Sequence, residues 1–333
     1  MPIPVTRFGD IDGQRVDRAV LTSDNGISVA VLSYGAILQD WRVSVDGAAP
    51  RSLVLNFDSM GGYRDRSHYF GAVVGRVANR VWNGTFELDH TVYVLPQNHG
   101  EHCLHGGTIG LARRLWQMET DSTQNAVRLT CRSPHGEDGF PGHVDFAVTY
   151  RLRGHTLEMA FEGLPDCPTP LNLTQHSYFN LGTGDDIRDT TIQLTADRYT
   201  PTTADMIPTG EILPVEGTAF DFRNGRRIDQ PYDHNLVFPE ERDNAAPVAT
   251  VTAATSPLQL TLWTDRPALQ LYNAAGTRVP APGPDGRPYG NYCGFCLECQ
   301  DFPDSLHQPG FPSIVHHPDL PYKQRTVVKI APG

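Results

Sequence analysis

Val144-Asp145-Phe146-Ala147-Val148-Thr149-Tyr150-Arg151-Leu152 and, after Arg153-Gly154-His155, Leu157-Glu158-Met159-Ala160-Phe161-Glu162 form the stretch that decides the fold class. In both runs apolar side chains alternate with polar ones, which is the period of a β-strand that buries one face. The connection between the runs is short and contains glycine, so the two strands are predicted to pair as a β-hairpin. The stretch therefore indicates an antiparallel β protein.

Strand-like alternation recurs along the chain. Glycine and proline number 31 and 27, a supply that suits many short strands joined by loops. The sequence has no sustained apolar stripe of helical period, and only short helical pieces near residues 109–115 or 202–206 are predicted. The further strand-like runs cover residues 86–89, 92–95, 191–196, 257–263, 268–272 and 325–330.

The chain is predicted to form one domain over residues 1–333. No low-complexity linker divides it, and the loosest stretch, residues 273–291, is flanked by strand patterns and is interpreted as a long loop. The predicted fold class is therefore all-β: a large antiparallel β-sandwich with few short helices and with loops long enough to carry function.

The charge of the chain restricts its partners. A net charge of −11 argues against nucleic acid and against an anionic membrane surface, because both would repel the protein. No window reaches the roughly 20 consecutive apolar residues that a membrane span needs. The first residues lack a basic-then-apolar signal pattern, so a cytoplasmic location and six reduced cysteines are expected.

Cys293, Cys296 and Cys299 have a spacing that invites a metal site. Residues 292–300 read as a strand, however, and alternation would point Cys296 away from the other two thiols. A second Cys-x-x-Cys is also missing, so the thiols are interpreted mainly as small buried apolar groups. The same alternation places Glu298 on the polar face of the strand, which suits a pocket, although an exposed strand glutamate remains the alternative.

Two histidine-containing segments are candidates for function. His99, His102 and His105 lie among glycines, which indicates a loop rather than a helix with two histidines on one face. A hydrogen-bonding histidine is favoured there, with metal binding as the alternative. Residues 172–182 read as a polar strand that places His176 on one face with other polar groups. Imidazole exchanges protons near neutral pH, so His176 is a candidate acid or base, with a structural histidine as the alternative.

Taken together, segments along nearly the whole chain resemble the aldose 1-epimerase (galactose mutarotase) family. Eight short matches in the same order make the resemblance specific, although each alone would be weak. They are Gly75-Arg76-Val77-Ala78-Asn79-Arg80-Val81, Leu104-His105-Gly106-Gly107 with Trp116, Asp138-Gly139-Phe140-Pro141-Gly142, Asn172 to Leu181, Asp197-Arg198-Tyr199-Thr200-Pro201, Ile207-Pro208-Thr209-Gly210-Glu211, Asp233-His234-Asn235, and Leu297-Glu298-Cys299-Gln300 with Pro303-Asp304.

The resemblance implies a β-sandwich with a sugar cleft on one sheet, and it implies a role for seven side chains. His176 would be the general acid and Glu298 the general base. The substrate contacts would come from Asn79, Arg80, His105, Asp233 and Gln270. The expected partner is a free monosaccharide, galactose or glucose by default. No metal or organic cofactor is expected, and the chain is expected to be a monomer or a weak dimer.

Three positions depart from the family pattern, namely His135, Gln175 and Asn273-Ala274-Ala275-Gly276. None of them removes a proton-transfer group, but the change at 273–276 puts the identity of the sugar in doubt.

The reaction implied is anomer interconversion by ring opening. A base takes the proton of the C1 hydroxyl, an acid protonates the ring oxygen, and the ring recloses on the other face of the aldehyde. The alternatives are an epimerase of phosphorylated hexoses, a sugar-binding module without catalysis, and a glycosidase that uses Asp233 and Glu298. A phosphate site calls for a basic cluster, and a binding module has no need of a paired histidine and glutamate.

Overall fold

The computed structural model describes residues 2–44, 50–65, 68–280, 282–284 and 286–333. Within these ranges the chain is almost entirely β-structure, and its strands are numbered β1 to β27 along the chain. The strand pairings are antiparallel throughout. The all-β prediction is confirmed.

Three larger sheets organise the strands. The first has the order β1 (Val5–Ile11), β2 (Gln14–Thr22), β3 (Ser28–Leu32), β4 (Leu38–Val43) and β5 (Arg51–Ser52). The second, of nine strands, has the order β11 (Gln117–Asp121), β12 (Ala126–Ser133), β13 (Val144–Arg153), β14 (Thr156–Pro165), β27 (Tyr322–Pro332), β23 (Leu258–Thr264), β22 (Ala249–Ala253), β17 (Thr190–Leu194) and β20 (Arg226–Arg227). The third has the order β19 (Leu213–Pro214), β18 (Arg198–Tyr199), β21 (Asp233–Val237), β24 (Ala268–Tyr272) and β25 (Cys296–Gln300).

Four further sheets of the described residues have two strands each. They are β6 (Val73–Val74) with β16 (Thr174–Gln175), β7 (Arg80–Val81) with β10 (Cys103–Leu104), β8 (Thr85–Leu88) with β9 (Thr91–Val94), and β15 (Thr169–Pro170) with β26 (Val315–His316).

The hairpin predicted at the centre of the sequence forms as expected. Strand β13 pairs with β14 from Val144 opposite Pro165 to Arg153 opposite Thr156. The alternate residues of β13 that were predicted to face inward are buried, and they pack in a core that includes residues of all three larger sheets, such as Trp41, Phe146 and Leu269. Burial of one face of each sheet against this common core is what produces the sandwich.

The predicted helical pieces at 109–115 and 202–206 are wrong, because both segments are turns. The helix of the described residues is α1 (Met60–Asp65), and 3-10 turns lie at Trp82–Gly84 and Glu137–Gly139. Helix α1 contains Gly62, where a Cβ would come within 2.3 Å of the Phe57 ring. Packing rather than helix propensity therefore determines the sequence of α1. This explains why the sequence shows no helical pattern that would predict α1. No helix in these ranges is long and apolar enough to span a bilayer.

The predicted strand at residues 172–182 is also wrong in its length. Only Thr174–Gln175 pairs regularly, and the rest of the segment makes isolated bridges with several partners. Nearly all of its side chains are buried on both faces, so simple alternation between core and solvent does not apply. The strand predicted at 292–300 begins only at Cys296, because the positive φ of Tyr292 interrupts the extended backbone.

Candidate active site

A polar cleft of about 330 Å³ opens where the third sheet meets the loops around residues 68–80 and 98–105. Its volume lies at the lower end of the roughly 300–1,000 Å³ typical of small-molecule sites, which suits a single sugar ring. Six of the seven side chains predicted for the site line it, together with seven others. The lining residues are His68, Tyr69, Asn79, Arg80, Asn98, His99, Leu104, His105, His176, Tyr178, Asp233, Tyr272 and Glu298.

Glu298 stands on β25 and faces the cleft, although its side chain is almost completely buried. Directly across the strand pair lies Gln270 of β24. One carboxyl oxygen of Glu298, Oε2, has no hydrogen-bond partner among the described residues. A buried acceptor left free in this way is available to a hydroxyl donor of a ligand.

His176 lies beside Glu298, with Nε2 at 3.7 Å from Oε1. Two backbone hydrogen bonds fix its segment: the amide of His176 donates to the Ala72 carbonyl, and the amide of Gly71 donates to the His176 carbonyl. The imidazole stacks on Tyr178 and Tyr69, with ring centroids 5.1 and 6.0 Å away. The pair predicted to move protons is therefore assembled from two segments that are far apart in sequence.

Burial displaces the pKa values of this pair in opposite directions. Loss of solvent lowers the pKa of His176 to about 4. Loss of solvent, reinforced by the charge of Asp233, raises the pKa of Glu298 well above its ordinary value, and Arg80 opposes that rise. The imidazole is therefore neutral at neutral pH, and burial favours the protonated form of the Glu298 carboxyl group over the carboxylate.

His105 is the third buried group, and its position is set by Asn79. The amide of Asn79 donates to His105 Nδ1 at 3.2 Å, and the amide of His105 donates to the Asn79 carbonyl at 2.9 Å. Burial and the neighbouring His176 lower the pKa of His105 well below its ordinary value, so the ring is neutral. Because Nδ1 accepts a hydrogen bond, the ring proton lies on Nε2 and can be donated to a hydroxyl or ring oxygen.

The ligand atoms of His105, His176 and Glu298 lie within 4.8 Å of one another, and no other described set of three such side chains is as close. The tautomer of His105 argues against a metal at this place. Its Nδ1 lone pair is occupied by the Asn79 amide, so a metal on Nε2 would require an imidazolate. The trio therefore offers hydrogen-bonding groups to the cleft rather than a ready set of metal ligands.

Turns with positive φ hold the loop that carries His105. Gly106 has φ +85°, and a Cβ there would come within 2.0 Å of the Gly75 carbonyl oxygen, so only glycine fits. The carboxylate of Asp138 accepts hydrogen bonds from the amides of Thr108, Ile109 and Gly110 at 2.9–3.2 Å. The His-Gly-Gly and Asp-Gly motifs of the sequence thus contact each other and together hold the loop that carries His105.

Arg76 connects these motifs to the nine-stranded sheet. It is buried, and its guanidinium donates to carbonyl oxygens of Pro134, Pro141 and Gly142 and to the hydroxyl of Ser133. Burial lowers its pKa to about 10, which leaves it charged at neutral pH. Arg76 therefore has a structural role, in contrast to Arg80 four residues later.

One side of the cleft carries a cluster of polar side chains, formed by Arg80, Asp233 and Gln270. Gln270 donates from Nε2 to Asp233 Oδ1 at 2.6 Å, and Arg80 lies 3.7 Å from Asp233 Oδ2. Asp233 keeps about a third of its side chain exposed, whereas Gln270 is buried and does not line the cleft. Gln270 therefore positions the Asp233 carboxylate, and its direct contact with a substrate stays a prediction of the resemblance.

Sequence reasoning did not assign seven of the lining residues to the site. Tyr272 shares the alternation of Gln270 on β24, so extending the strand parity would have found it. Tyr178 lies two residues after His176 in the irregular segment, where alternation does not decide which side chains reach the cleft. Tyr69 has φ +61° in a loop, a position that no periodic pattern predicts.

A sandwich of antiparallel sheets whose cleft pairs a buried imidazole with a buried carboxyl, beside an arginine–carboxylate group, defines an acid–base enzyme of polar, sugar-sized ligands. Residues 17–329 match the model of the family described as aldose 1-epimerase. The chain belongs to the aldose 1-epimerase family, which confirms the resemblance seen in its motifs.

Individual relatives agree with this assignment. Galactose mutarotase of Rattus norvegicus is 38% identical over 343 residues, covering 99% of each chain. Aldose 1-epimerase of Escherichia coli (strain K12) is 33% identical, covering 90% of each. The crystal structure of a GalM/aldose epimerase homologue from C. elegans superposes with a TM-score of 0.88 at 27% identity, covering 94% of this chain and 98% of that one.

Proposed function

We propose that this protein is an isomerase that interconverts the α and β anomers of a free aldose, with galactose and glucose as its main substrates. The observation that carries the proposal is the pair of buried proton carriers, His176 Nε2 and Glu298 Oε1, at 3.7 Å in a sugar-sized cleft. Family membership supports the reaction class. The names of the mammalian relatives support galactose.

In the proposed mechanism Glu298 is the base and His176 the acid. The carboxylate takes the proton of the C1 hydroxyl, the imidazolium gives its Nε2 proton to the ring oxygen, and the bond from C1 to the ring oxygen breaks to leave an open aldehyde. After rotation about the C1–C2 bond, the two proton transfers run backwards and close the ring on the other face. Protons and charge balance over the cycle, so nothing is consumed.

The pKa displacements fit this cycle once the sugar is bound. Opening requires the ion pair, so the single proton must pass from Glu298 to His176. The positive charge of Arg80 and a hydrogen bond from the C1 hydroxyl both favour the ionised carboxyl group. An imidazolium with a lowered pKa is a stronger acid than an ordinary one, which helps it to protonate a weakly basic ring oxygen.

The remaining polar groups are assigned to sugar binding. The Asp233 carboxylate can accept from two hydroxyl groups, and Arg80 and the Nε2–H of His105 can donate to hydroxyl oxygens. Asn79 holds Arg80 through its side-chain oxygen, which accepts from the Arg80 amide at 2.8 Å. Its backbone holds His105 through the two hydrogen bonds described above. The tyrosines supply apolar faces for the ring carbons.

A phosphorylated hexose fits this cleft less well. The Asp233 carboxylate borders the cleft and already faces Arg80, the one arginine of the lining. A phosphate group would therefore meet negative charge. We further propose a cytoplasmic location and existence as a monomer or weak dimer, and a net charge of −11 disfavours nucleic acid partners.

Polarimetry on freshly dissolved sugars tests the function. The protein should accelerate the approach of pure α-galactose and α-glucose to their anomeric equilibrium and leave the final rotation unchanged. Two comparison substrates are used: galactose 6-phosphate, and an alkyl galactoside, whose ring cannot open. Acceleration confined to the phosphorylated sugar, or hydrolysis of the galactoside, would contradict the proposal.

A further inference from the structure

The imidazole of His176 is held between two side chains of a single strand. Its Nδ1 lies 3.5 Å from Cys296 Sγ, and its Nε2 lies 3.7 Å from Glu298 Oε1. The two residues are two positions apart on β25, so they share a face and stand about 6.6 Å apart along the strand. That spacing accommodates one five-membered ring with a contact at each nitrogen. The mechanism above gives Cys296 no part.

Proton exchange at Nε2 makes a demand on the other ring nitrogen. A histidine that gives its Nε2 proton to the sugar and later takes it back must keep a proton on Nδ1 throughout. The group that faces Nδ1 has to accept a hydrogen bond, as the carboxylate does in a catalytic triad. If Nδ1 lost its proton instead, Nε2 would hold its own and could not accept one during ring closure.

Cys296 is a neutral acceptor at this position. Its side chain is completely buried, and burial raises the pKa of the thiol well above its ordinary value, so the sulfur is not a thiolate. Tyr178 and Tyr69 stack on the faces of the imidazole and so lie outside its plane. The other titratable groups around the ring are His105, edge-on at 5.1 Å between centroids, His68, and Glu298 on the Nε2 side.

We propose that Cys296 is a positioning residue whose sulfur accepts the Nδ1–H of His176, so that Nε2 remains the nitrogen that exchanges a proton with the substrate. The inference deepens the proposed function and rests on it. The choice of sulfur has a chemical consequence: a carboxylate at this place would stabilise the imidazolium and weaken it as an acid. A neutral thiol orients the ring without that cost.

The first part of the test compares kinetic constants. Cys296→Ala removes the acceptor, and kcat for anomer interconversion should fall about tenfold, the size expected for one neutral hydrogen bond. KM should stay within about twofold, because Cys296 lies behind His176 and does not line the cleft. Cys296→Ser retains an acceptor and should recover part of the loss. Cys299→Ala, on the opposite face of the same strand, is the matched control and should keep wild-type kcat.

The second part reads the tautomer directly, without reference to activity. Two-bond ¹H–¹⁵N spectra of the histidine rings give the protonated nitrogen, and His176 is identified as the ring that is absent from the spectrum of His176→Asn. Neutral His176 should carry its proton on Nδ1 in the wild type and in Cys299→Ala, and should shift toward Nε2 in Cys296→Ala. If that variant does not fold, Cys296→Val, an apolar side chain of similar size, takes its place with the same expectation.

Two results would overturn the inference: wild-type kcat without the sulfur, or a loss of kcat while His176 keeps its Nδ1 proton, which would make the effect merely structural. Failure of the wild-type protein to interconvert anomers would instead count against the proposed function, and the spectra would still decide whether Cys296 fixes the tautomer.

Discussion

His176 and Glu298 show how burial prepares two ordinary side chains for acid–base work. Desolvation penalises both charged forms, so the pKa of the imidazole falls to about 4 while that of the carboxyl group rises. The two groups are close enough to titrate as a unit, and the active unit is the one that holds a single proton. In the proposed mechanism, ligand hydroxyls rather than bulk water decide which member carries that proton.

The rate should therefore depend on pH as a broad bell. Below about pH 4 the pair gains a second proton, so no carboxylate is left to act as base. Above the raised pKa of Glu298 the pair loses its only proton, so no acid is left. Polarimetric kcat/KM, corrected for uncatalysed mutarotation, should fall on the alkaline side at the raised pKa of Glu298 rather than at that of an ordinary histidine. An alkaline limb at or below the ordinary histidine pKa of about 6.5 would show that burial does not govern the pair.

Arg80 and Asp233 are expected to act mainly through binding. Neither is needed to move a proton during opening, and both face the cleft through polar atoms that sugar hydroxyls can use. Arg80→Ala and Asp233→Ala should each raise KM by roughly 10-fold or more, with a smaller change in kcat. Normal KM combined with a loss of kcat by several orders of magnitude, in either variant, would show that the residue moves protons instead.

Much of the site could be predicted at the scale of residues, because its chemistry sits in short local motifs. Asn79, Arg80 and His105 lie within such motifs, and all three line the cleft. Gln270 shows the limit of this reasoning. Strand parity places it on the right face, but only the packed structure shows that it is buried, donates to Asp233 and lies outside the cleft lining.

At the scale of elements, loops and strands contribute differently to the site. The regular strands β21, β24 and β25 fix Asp233, Gln270 and Glu298 through their register, and that part follows from alternation in the sequence. His176 instead comes from a segment that is buried on both faces and bonded to loops, so its irregular path could not be predicted. The hairpin β13–β14 was predictable because one of its faces is buried and the other is more exposed to solvent.

The loop that carries His105 should depend on Asp138. Asp138→Ala leaves three backbone amides of residues 108–110 without their acceptor, which should lower the free energy of unfolding by about 1–3 kcal/mol. The loosened loop should also raise KM, because the proposed function assigns His105 to sugar binding. Thermal unfolding and polarimetry measure the two effects.

Asp121→Ala is the control for that experiment. Its carboxylate caps the turn between β11 and β12 by accepting from the amides of Thr123 and Gln124, and it does not line the cleft. It should leave KM unchanged. Equal KM values for Asp138→Ala and the wild type would contradict the view that the turn positions His105.

At the scale of the whole molecule, the sandwich is the frame that carries a site of titratable side chains. The all-β class and the family could both be predicted, since alternation and ordered motifs extend over most of the chain. The short helix at Met60–Asp65 could not, because its glycine is chosen for contact with Phe57 rather than for helix formation.

Anomer interconversion should survive exhaustive dialysis against a chelator. The three close side chains of the cleft, His105, His176 and Glu298, are set for hydrogen bonding by the Asn79 amide that occupies His105 Nδ1. The polarimetric rate before and after dialysis should agree within error. Loss of activity that zinc or iron restores would contradict this expectation and would reassign the trio as metal ligands.

The most direct test of the central claim is the polarimetric rate of Glu298→Gln and of His176→Asn at neutral pH, with circular dichroism to confirm the fold. Each substitution is close to isosteric and removes one proton carrier, so each should lower kcat by roughly 10²–10⁴-fold in both directions and leave the anomeric equilibrium unchanged. The double variant should lose far less than the product of the two. A well-folded Glu298→Gln protein that interconverts anomers at nearly the wild-type rate would contradict the account and would move the base elsewhere, with Asp233 the first alternative.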